Sequence, residues 1–253
     1  MTPVSVIVLC RNQQMNLPLI LDALGRQRVR PDEVIIADDR SEGDIASIAK
    51  RFGCRYVSTS AYVDGDRDGL RALARQVGTV SAKHEILAYL DGDIIPSSGF
   101  LEIGVAMAAL GQLVKAPRRY RIGQSGRRSR CQPESLARTA RKHLGFADFT
   151  SDSFVVSRSA VKAVGGWDER FEGWGEEDVE FAFRYESGGL PIVEVNHPDF
   201  FGAHLDHPID HSKNFASLTK NAKYFAQKHP SVLERRSMHW KSLGLYLAHY
   251  GAR

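Results

Sequence analysis

Asp91 and Asp93, separated by a single glycine, follow directly on the apolar run Leu87 to Leu90. That run is short, apolar and closed by a turn signal, which predicts a buried strand. Side chains alternate faces along an extended segment, so both carboxylates are expected to point the same way. Gly92 between them would let a bulky group approach the backbone. Two hard oxygen ligands at the carboxyl end of a strand suit Mg²⁺ or Mn²⁺, with phosphate oxygens completing the shell. An ordinary Asp-Gly turn also accounts for these three residues, so the reading depends on what surrounds them.

Two further stretches carry reactive side chains. Glu176, Glu177 and Asp178 follow the turn-forming Gly173-Trp174-Gly175 and precede a helix that opens with Val179, Phe181, Ala182 and Phe183. The helix dipole favours acids in a first turn, which explains one or two of them and hardly three. The same dipole lowers a carboxylate pKa, away from the value that suits a general base. Farther on, His204, His207 and His211 crowd one short segment. Zinc would need a ligand set of fixed geometry, and Pro208 breaks any helix that could align His207 with His211.

The elements that must position these groups alternate along the first ninety residues. Val4 to Leu9 is a β-branched apolar run that reads as a buried parallel strand. Leu17, Ile20, Leu21 and Leu24 have helical spacing within Asn16 to Leu24, and Ile45, Ile48, Ala49 and Phe52 do the same within Ser41 to Phe52. Glu33 to Ala37 and Arg55 to Ser58 read as strands, and Leu70, Leu73, Ala74 and Val77 mark a third helix. Strands alternating with short helices predict an α/β fold with a mostly parallel sheet covered on both faces. Ligands of such sheets bind beyond the carboxyl ends of the strands, which puts the turns after Leu9, Ala37 and Leu90 on one rim. Asn214 to His229 reads as an amphipathic helix, and Ser231 to Arg253 as a helical tail that could cover the core or form a homodimer contact.

Composition narrows the class. The chain of 253 residues is 43% hydrophobic and 25% charged, with a formal net charge of +4. These are the proportions of one large globular domain, and so small a surplus does not call for nucleic acid. The positive charge is uneven, with Arg118, Arg119, Arg121, Arg127, Arg128, Arg130, Arg138, Arg141 and Lys142 in one segment. Cys10, Cys54 and Cys131 form no CxxC pair, which argues against a disulfide framework and for a reducing, cytoplasmic setting. No stretch approaches the roughly 20 apolar residues of a membrane span. The turn Cys10-Arg11-Asn12-Gln13-Gln14 lacks GxGxxG, and GxxxxGK[ST] is absent, so a bound nucleotide diphosphate would need a cation and arginines instead.

Taken in order, several blocks resemble family 2 glycosyltransferases of the GT-A fold. They are Val4 to Asn12 as first strand and turn, Ile35 to Ser41 with its Asp38-Asp39-Arg40-Ser41, and Asp91-Gly92-Asp93 as the Asp-x-Asp motif. A second group resumes the likeness at Phe154 to Arg158 and Gly165 to Glu169 and ends in Trp174 to Phe181, which is similar to the galactosyltransferase-type C-terminal region of chondroitin-polymerase-like enzymes and animal galactosyltransferases. The likeness covers roughly 1–100 and 153–215, and residues 111–150 match nothing recognisable.

The resemblance implies a single domain, with 1–110 as the nucleotide-sugar-binding half, 111–230 as the acceptor and catalytic half, and 231–253 as the tail. It implies that Cys10, Arg11, Asn12, Asp39, Arg67, Arg71 and Asp91 contact the donor, with Asp39 (or Asp38) reading the base. Arg75 precedes the metal strand with Arg67 and Arg71, where the family often has donor-contacting basic residues. Asp39 could also close an Asx turn, and Arg71 and Arg75 are also spaced as plain surface arginines. The cation would be held by Asp93, with Asp91 acting through water or ribose and His204 as third ligand. His207 and His211 would be loop residues or acceptor contacts. Asp178 would be the general base and Glu177 would hold a sugar hydroxyl. Trp174, Gly175 and Glu176 would face the acceptor or the sugar ring.

The expectation is thus a metal-dependent, inverting transfer of a sugar from a nucleotide donor, UDP-linked by preference, to an acceptor hydroxyl. A sugar-phosphate nucleotidyltransferase would use the same cation site without needing the block from Trp174 to Asp178. A non-catalytic polyanion-binding module would rest on the arginine-rich segment, which could otherwise form a mobile loop over the donor or a dock for an acidic acceptor.

Overall fold

The computed structural model describes residues 2–64, 67, 69–123, 125, 127–130, 140–207 and 211–232. Along the chain the elements are β1 (Val4–Cys10), α1 (Leu17–Gly25), β2 (Glu33–Asp38), α2 (Ile45–Arg51), β3 (Arg55–Ser58), α3 (Arg71–Ser81), β4 (Ile86–Asp91), β5 (Ile94–Pro96) and α4 (Phe100–Ala108). They continue as β6 (Leu113–Lys115), β7 (Arg118–Ile122), β8 (Arg128–Arg130), β9 (Ala140–His143), β10 (Ser153–Ser157), α5 (Arg158–Ala163), α6 (Glu177–Ser187), β11 (Ile192–Asn196), β12 (Gly202–Leu205) and α7 (His211–Lys228).

The large sheet has the order β3-β2-β1-β4-β10-β6-β11-β9. β3, β2, β1 and β4 are mutually parallel, as the strand–helix alternation predicts, and β10 runs antiparallel to both β4 and β6. Both faces are covered. In β1, Val4, Val6 and Val8 pack with α1 and α4, whereas Ile7 and Leu9 pack on the other side with Tyr89, Phe154, Trp167 and Phe181. That two-sided burial is why the strand reads as an unbroken apolar run.

α2 begins later than its apolar spacing suggests. Ser41 donates its backbone N–H and its hydroxyl to the Asp38 carboxylate, closing a turn, and the Asp44 side chain then caps the helix by accepting from Ser47 N at 2.9 Å.

A second, small sheet has the order β5-β12-β7-β8. It absorbs part of the arginine-rich segment, which therefore is not one loop. Residues 118–122 and 128–130 form strands of the small sheet, and 140–143 is an edge strand of the large one. Residues 131–139, and the tail from 233 onward, lie outside the described residues. Among the described residues no helix is long and apolar enough to cross a membrane.

Candidate functional site

β1, β2 and β4 end side by side, with Leu9 opposite Asp91 and Cys10 opposite Asp38. The expected rim is therefore real, and it opens on a cleft of about 780 Å³. Asp91 is the last residue of β4, while Gly92 and Asp93 form a turn before β5, so strand alternation does not govern the two acids. Gly92 is needed for a close approach within the protein itself. A Cβ there would lie 2.7 Å from the Leu9 carbonyl oxygen and 2.9 Å from Gln13 Cγ.

The two acids face different partners. Asp93 turns toward the small sheet: β12 pairs with β5, placing His204 opposite Ile94, and Leu205 N donates to the Asp93 carbonyl at 2.8 Å. Asp93 Oδ2 lies 3.4 Å from His204 Nε2 and 3.0 Å from His207 Nε2. One ligand atom from each of these three residues falls within 4.8 Å of the others. Burial works against the charge of Asp93, but hydrogen bonds to His204 and His207 outweigh it and hold the carboxyl well below the usual carboxylate range. His207, expected outside the shell, is thus closer to Asp93 than His204 is. His211 begins α7, and its side chain is not among those described. One carboxylate and two imidazoles are a donor set that Mn²⁺ accepts more readily than Mg²⁺, so the residues present fit a divalent cation.

Asp91 is not part of that group. Its Oδ1 accepts from Arg75 Nη2 at 2.9 Å, its backbone N–H donates to the Asp152 carbonyl at 2.8 Å, and burial raises its pKa. Asp152 reaches the site because β10 runs antiparallel beside β4. It is paired with Lys115 and, at 2.8 Å, with Arg118, which lines the cleft.

On the donor side, Asp39 is buried and lines the cleft, accepting from Leu70 N at 2.7 Å and lying 3.4 Å from Arg11. Asp38, not Asp39, makes the Asx turn, and Tyr56 donates to it at 2.8 Å. Arg11 and Arg71 line the cleft; Arg67 instead pairs with Glu172. Cys10 is buried, and burial followed by the Asp38 charge pushes its thiol up to about 12, which disfavours the reactive thiolate. Asn12 holds the rim together, its backbone N–H donating to Ser41 Oγ and its Oδ1 accepting from Glu42 N, both at 2.8 Å.

The acidic helix start forms another wall of the same cleft, with Trp174, Gly175, Glu176, Glu177 and Asp178 all on the lining. α7 pins this loop from behind. Ser217 Oγ accepts from Trp174 N at 3.0 Å, and the Asn221 side-chain amide donates to the carbonyls of Glu172 and Gly175 at 2.9 and 2.8 Å. Gly175 has φ +94, and Glu176 takes the left-handed conformation at φ 73 although it is not a glycine. Backbone strain of this kind persists only where surrounding contacts impose it.

Glu177 Oε1 accepts from Arg75 Nη1 at 3.2 Å. Among the described residues no cation pairs directly with Asp178. Burial, then the neighbouring Glu177 charge, push its carboxyl up to about 7, with Arg75 opposing and Glu176 adding to the rise. The lowering expected from the helix N-terminus is therefore overridden. Its Oδ1 accepts from Val179 N at 2.8 Å, the contribution of the helix start itself. Arg75, spaced like a surface residue, is only 2% exposed. A sequence signal existed in its small neighbours Ala72, Ala74 and Gly78 on α3, which let that helix sit close to the sheet.

Comparison with known proteins bears on the family and the fold. The chain is 27% identical over 263 residues to validoxylamine A glucosyltransferase of Streptomyces hygroscopicus subsp. limoneus, covering 90% of this chain and 57% of that protein. It is 25% identical over 232 residues to chondroitin synthase of Pasteurella multocida, covering 73% of this chain and 23% of that one. The chain thus spans less than two thirds of the length of these relatives. In structure it resembles GalNAc-T7 crystallised with UDP, GalNAc and Mn²⁺, with a TM-score of 0.69, 16% identity, and coverage of 90% of this chain and 48% of that one. At that identity the likeness is one of fold, the GT-A fold expected from the sequence. Residues 135–207 match the N-terminal domain of galactosyltransferase, in line with the second group of sequence blocks. The match to glycosyl transferase family 2 runs over residues 5–165, more than half of the sequence, and the chain belongs to that family.

Proposed function

We propose that this chain is a metal-dependent, inverting glycosyltransferase that moves a sugar from a UDP-sugar to an acceptor hydroxyl. The observation that carries the reading is that one cleft is lined by both a cation-binding trio and a carboxyl group poised near neutrality. Asp93, His204 and His207 would hold the divalent cation. When bound, that cation would act as a Lewis acid toward the diphosphate that leaves the anomeric carbon. The residues 1–110 supply the donor half of the site. There Asp39 and Arg11, just beyond the ends of β2 and β1, would face the nucleoside, and Arg71 the diphosphate, as their place on the cleft lining supports.

Asp178, from the 111–230 half, takes the proton of the acceptor hydroxyl as its oxygen bonds to the anomeric carbon and the bond to the diphosphate oxygen breaks. A pKa of about 7 suits a base that must be ionised yet retain proton affinity. A single base on the face opposite the leaving group gives inversion. Glu177 is oriented to hold a sugar hydroxyl, and Trp174 offers an apolar face to a ring. The GalNAc-T7 complex with UDP and Mn²⁺ supports the choice of nucleotide and cation.

The test is a panel of UDP-, GDP- and TDP-sugars incubated with and without Mn²⁺ and read as nucleotide release. The reading predicts release from a UDP-sugar that depends on added Mn²⁺. No release from any donor would contradict it.

A further inference from the structure

Arg75 occupies a position that its sequence spacing conceals. It is 2% exposed, in the first turns of α3, with its guanidinium 5.1 Å above the ring of Trp167. One terminal nitrogen reaches Asp91 Oδ1 at 2.9 Å and the other reaches Glu177 Oε1 at 3.2 Å. These two acids come from different parts of the fold. Asp91 ends β4 one residue before the turn that carries Asp93, and Glu177 opens α6 next to Asp178.

An ion triad with Arg75 and Glu177 buried and Asp91 half-buried is not explained by stability alone. Taking a buried pair of charges out of water can cost more than their attraction returns, and replacing such a pair by apolar side chains of similar volume is often neutral or stabilising. What a guanidinium adds is a rigid planar fork, fixed in charge and able to hold two carboxylates at a set separation. Here the flat ring of Trp167 limits the tilt of that fork, and Trp167 is itself stacked on Phe181 of α6 at 4.2 Å. The brace thus stands on the same helix that it orients.

We infer that Arg75 is a positioning residue that sets the placement of the Asp178 base relative to the Asp93 cation site, by tying Glu177 to Asp91. The inference rests on the glycosyltransferase reading and adds to it a role for Arg75, which lines the same cleft, exerted through the two carboxylates that it holds. Its effect is geometric, and misplacement by about 1 Å at a reacting centre costs on the order of 10²-fold in rate.

Arg75→Lys is the informative variant. It keeps the positive charge and most of the packing, but an ammonium is a point charge on a flexible stem and cannot fork between two carboxylates. The measurements are kcat and KM for Mn²⁺-dependent UDP release, UDP affinity by calorimetry, and a crystal structure of the variant. The expected result is a kcat lower by about 10²-fold with KM and UDP affinity close to wild type, and Glu177 displaced from Asp91. A purely structural role would lower Tm and leave kcat in the surviving folded fraction unchanged, and that outcome would overturn the inference.

Should Arg75→Lys fail to fold, Arg75→Gln, which keeps a planar donor but loses the fork and leaves Glu177 and Asp91 intact, takes its place, and the same measurements decide. A wild-type chain that released no nucleotide would refute the glycosyltransferase reading instead. The crystal structure would then judge the brace alone, and Asp91 and Glu177 left in their wild-type positions would overturn it.

Discussion

Asp93 and His207 meet at 3.0 Å although 114 residues separate them in the chain. The contact exists because β5, which follows Asp93, pairs with β12, which ends just before His207. The small sheet is in this sense the device that assembles the candidate cation site, bringing two imidazoles to a carboxylate on the rim of the large sheet.

The first prediction follows from that contact. His204→Ala and His207→Ala should each raise the Mn²⁺ concentration needed for half-maximal UDP release several-fold, since water can replace one ligand but binds less well than imidazole. The measurement is nucleotide release against Mn²⁺ for both variants beside wild type. A wild-type curve for His207→Ala would place that residue outside the cation's shell.

The second concerns pH. Asp178 must be ionised to take a proton, and its carboxyl is pushed up to about 7 by burial and then by Glu177. Activity at saturating donor should fall about tenfold per pH unit below that value and level off above it. An acid limb centred near pH 4 would mean that a different group titrates.

The same shift has a sign for stability. A raised carboxyl pKa means that the folded state binds more protons than the unfolded one between the ordinary value of 3.8 and about 7. Stability is therefore lost as pH rises through that window. Asp178→Asn removes the penalty, so above pH 7 its Tm should exceed that of wild type, by about 2–4 °C for each kcal/mol relieved. Below pH 4 the two proteins should melt together. A variant that is less stable than wild type at pH 8 would show that the charge of Asp178 is well compensated in the fold.

How much of this was legible beforehand differs from residue to residue. β1 was readable because burial on both faces leaves no polar position except Ser5, which hydrogen-bonds Glu33 at 2.8 Å. The acids at the ends of β2 and β4 were readable because a carboxylate after an apolar strand is conspicuous. Their division of labour was not. The turn at Gly92 sends Asp93 toward the small sheet and leaves Asp91 to Arg75, and strand alternation carries no trace of it. Arg75 was hidden for a related reason, since its partners lie 16 and 102 residues away. The rise in the pKa of Asp178 was missed because local helix electrostatics was the only term in view, whereas burial dominates. Arg67, a donor contact by resemblance, pairs with Glu172 from the loop before α6, a partner 105 residues away that local sequence does not reveal.

A fourth prediction tests the clamp of α7 on the acidic loop. Gly175 has φ +94, and a Cβ there would lie 2.7 Å from Leu218 Cδ1. Gly175→Ala should destabilise the fold by about 1–3 kcal/mol through backbone strain. It should also lower kcat more than it weakens UDP binding, because the loop carries Glu176 into α6 and not the donor rim. Thermal melts and steady-state kinetics measure the two effects, and an unchanged kcat would detach the clamp from catalysis.

The central claim is that one cleft joins a cation site built on Asp93 to a base supplied by Asp178, two functions that can be separated by substitution. Calorimetric titration of UDP in the presence of Mn²⁺, run on wild type, Asp93→Asn and Asp178→Asn and paired with turnover on each, tests it directly. Asp93→Asn should lose Mn²⁺-dependent UDP binding and turnover together while remaining folded. Asp178→Asn should bind UDP as wild type does and lose about 10²-fold or more in turnover. Unchanged UDP affinity in a folded Asp93→Asn protein, or full turnover in Asp178→Asn, would contradict the account.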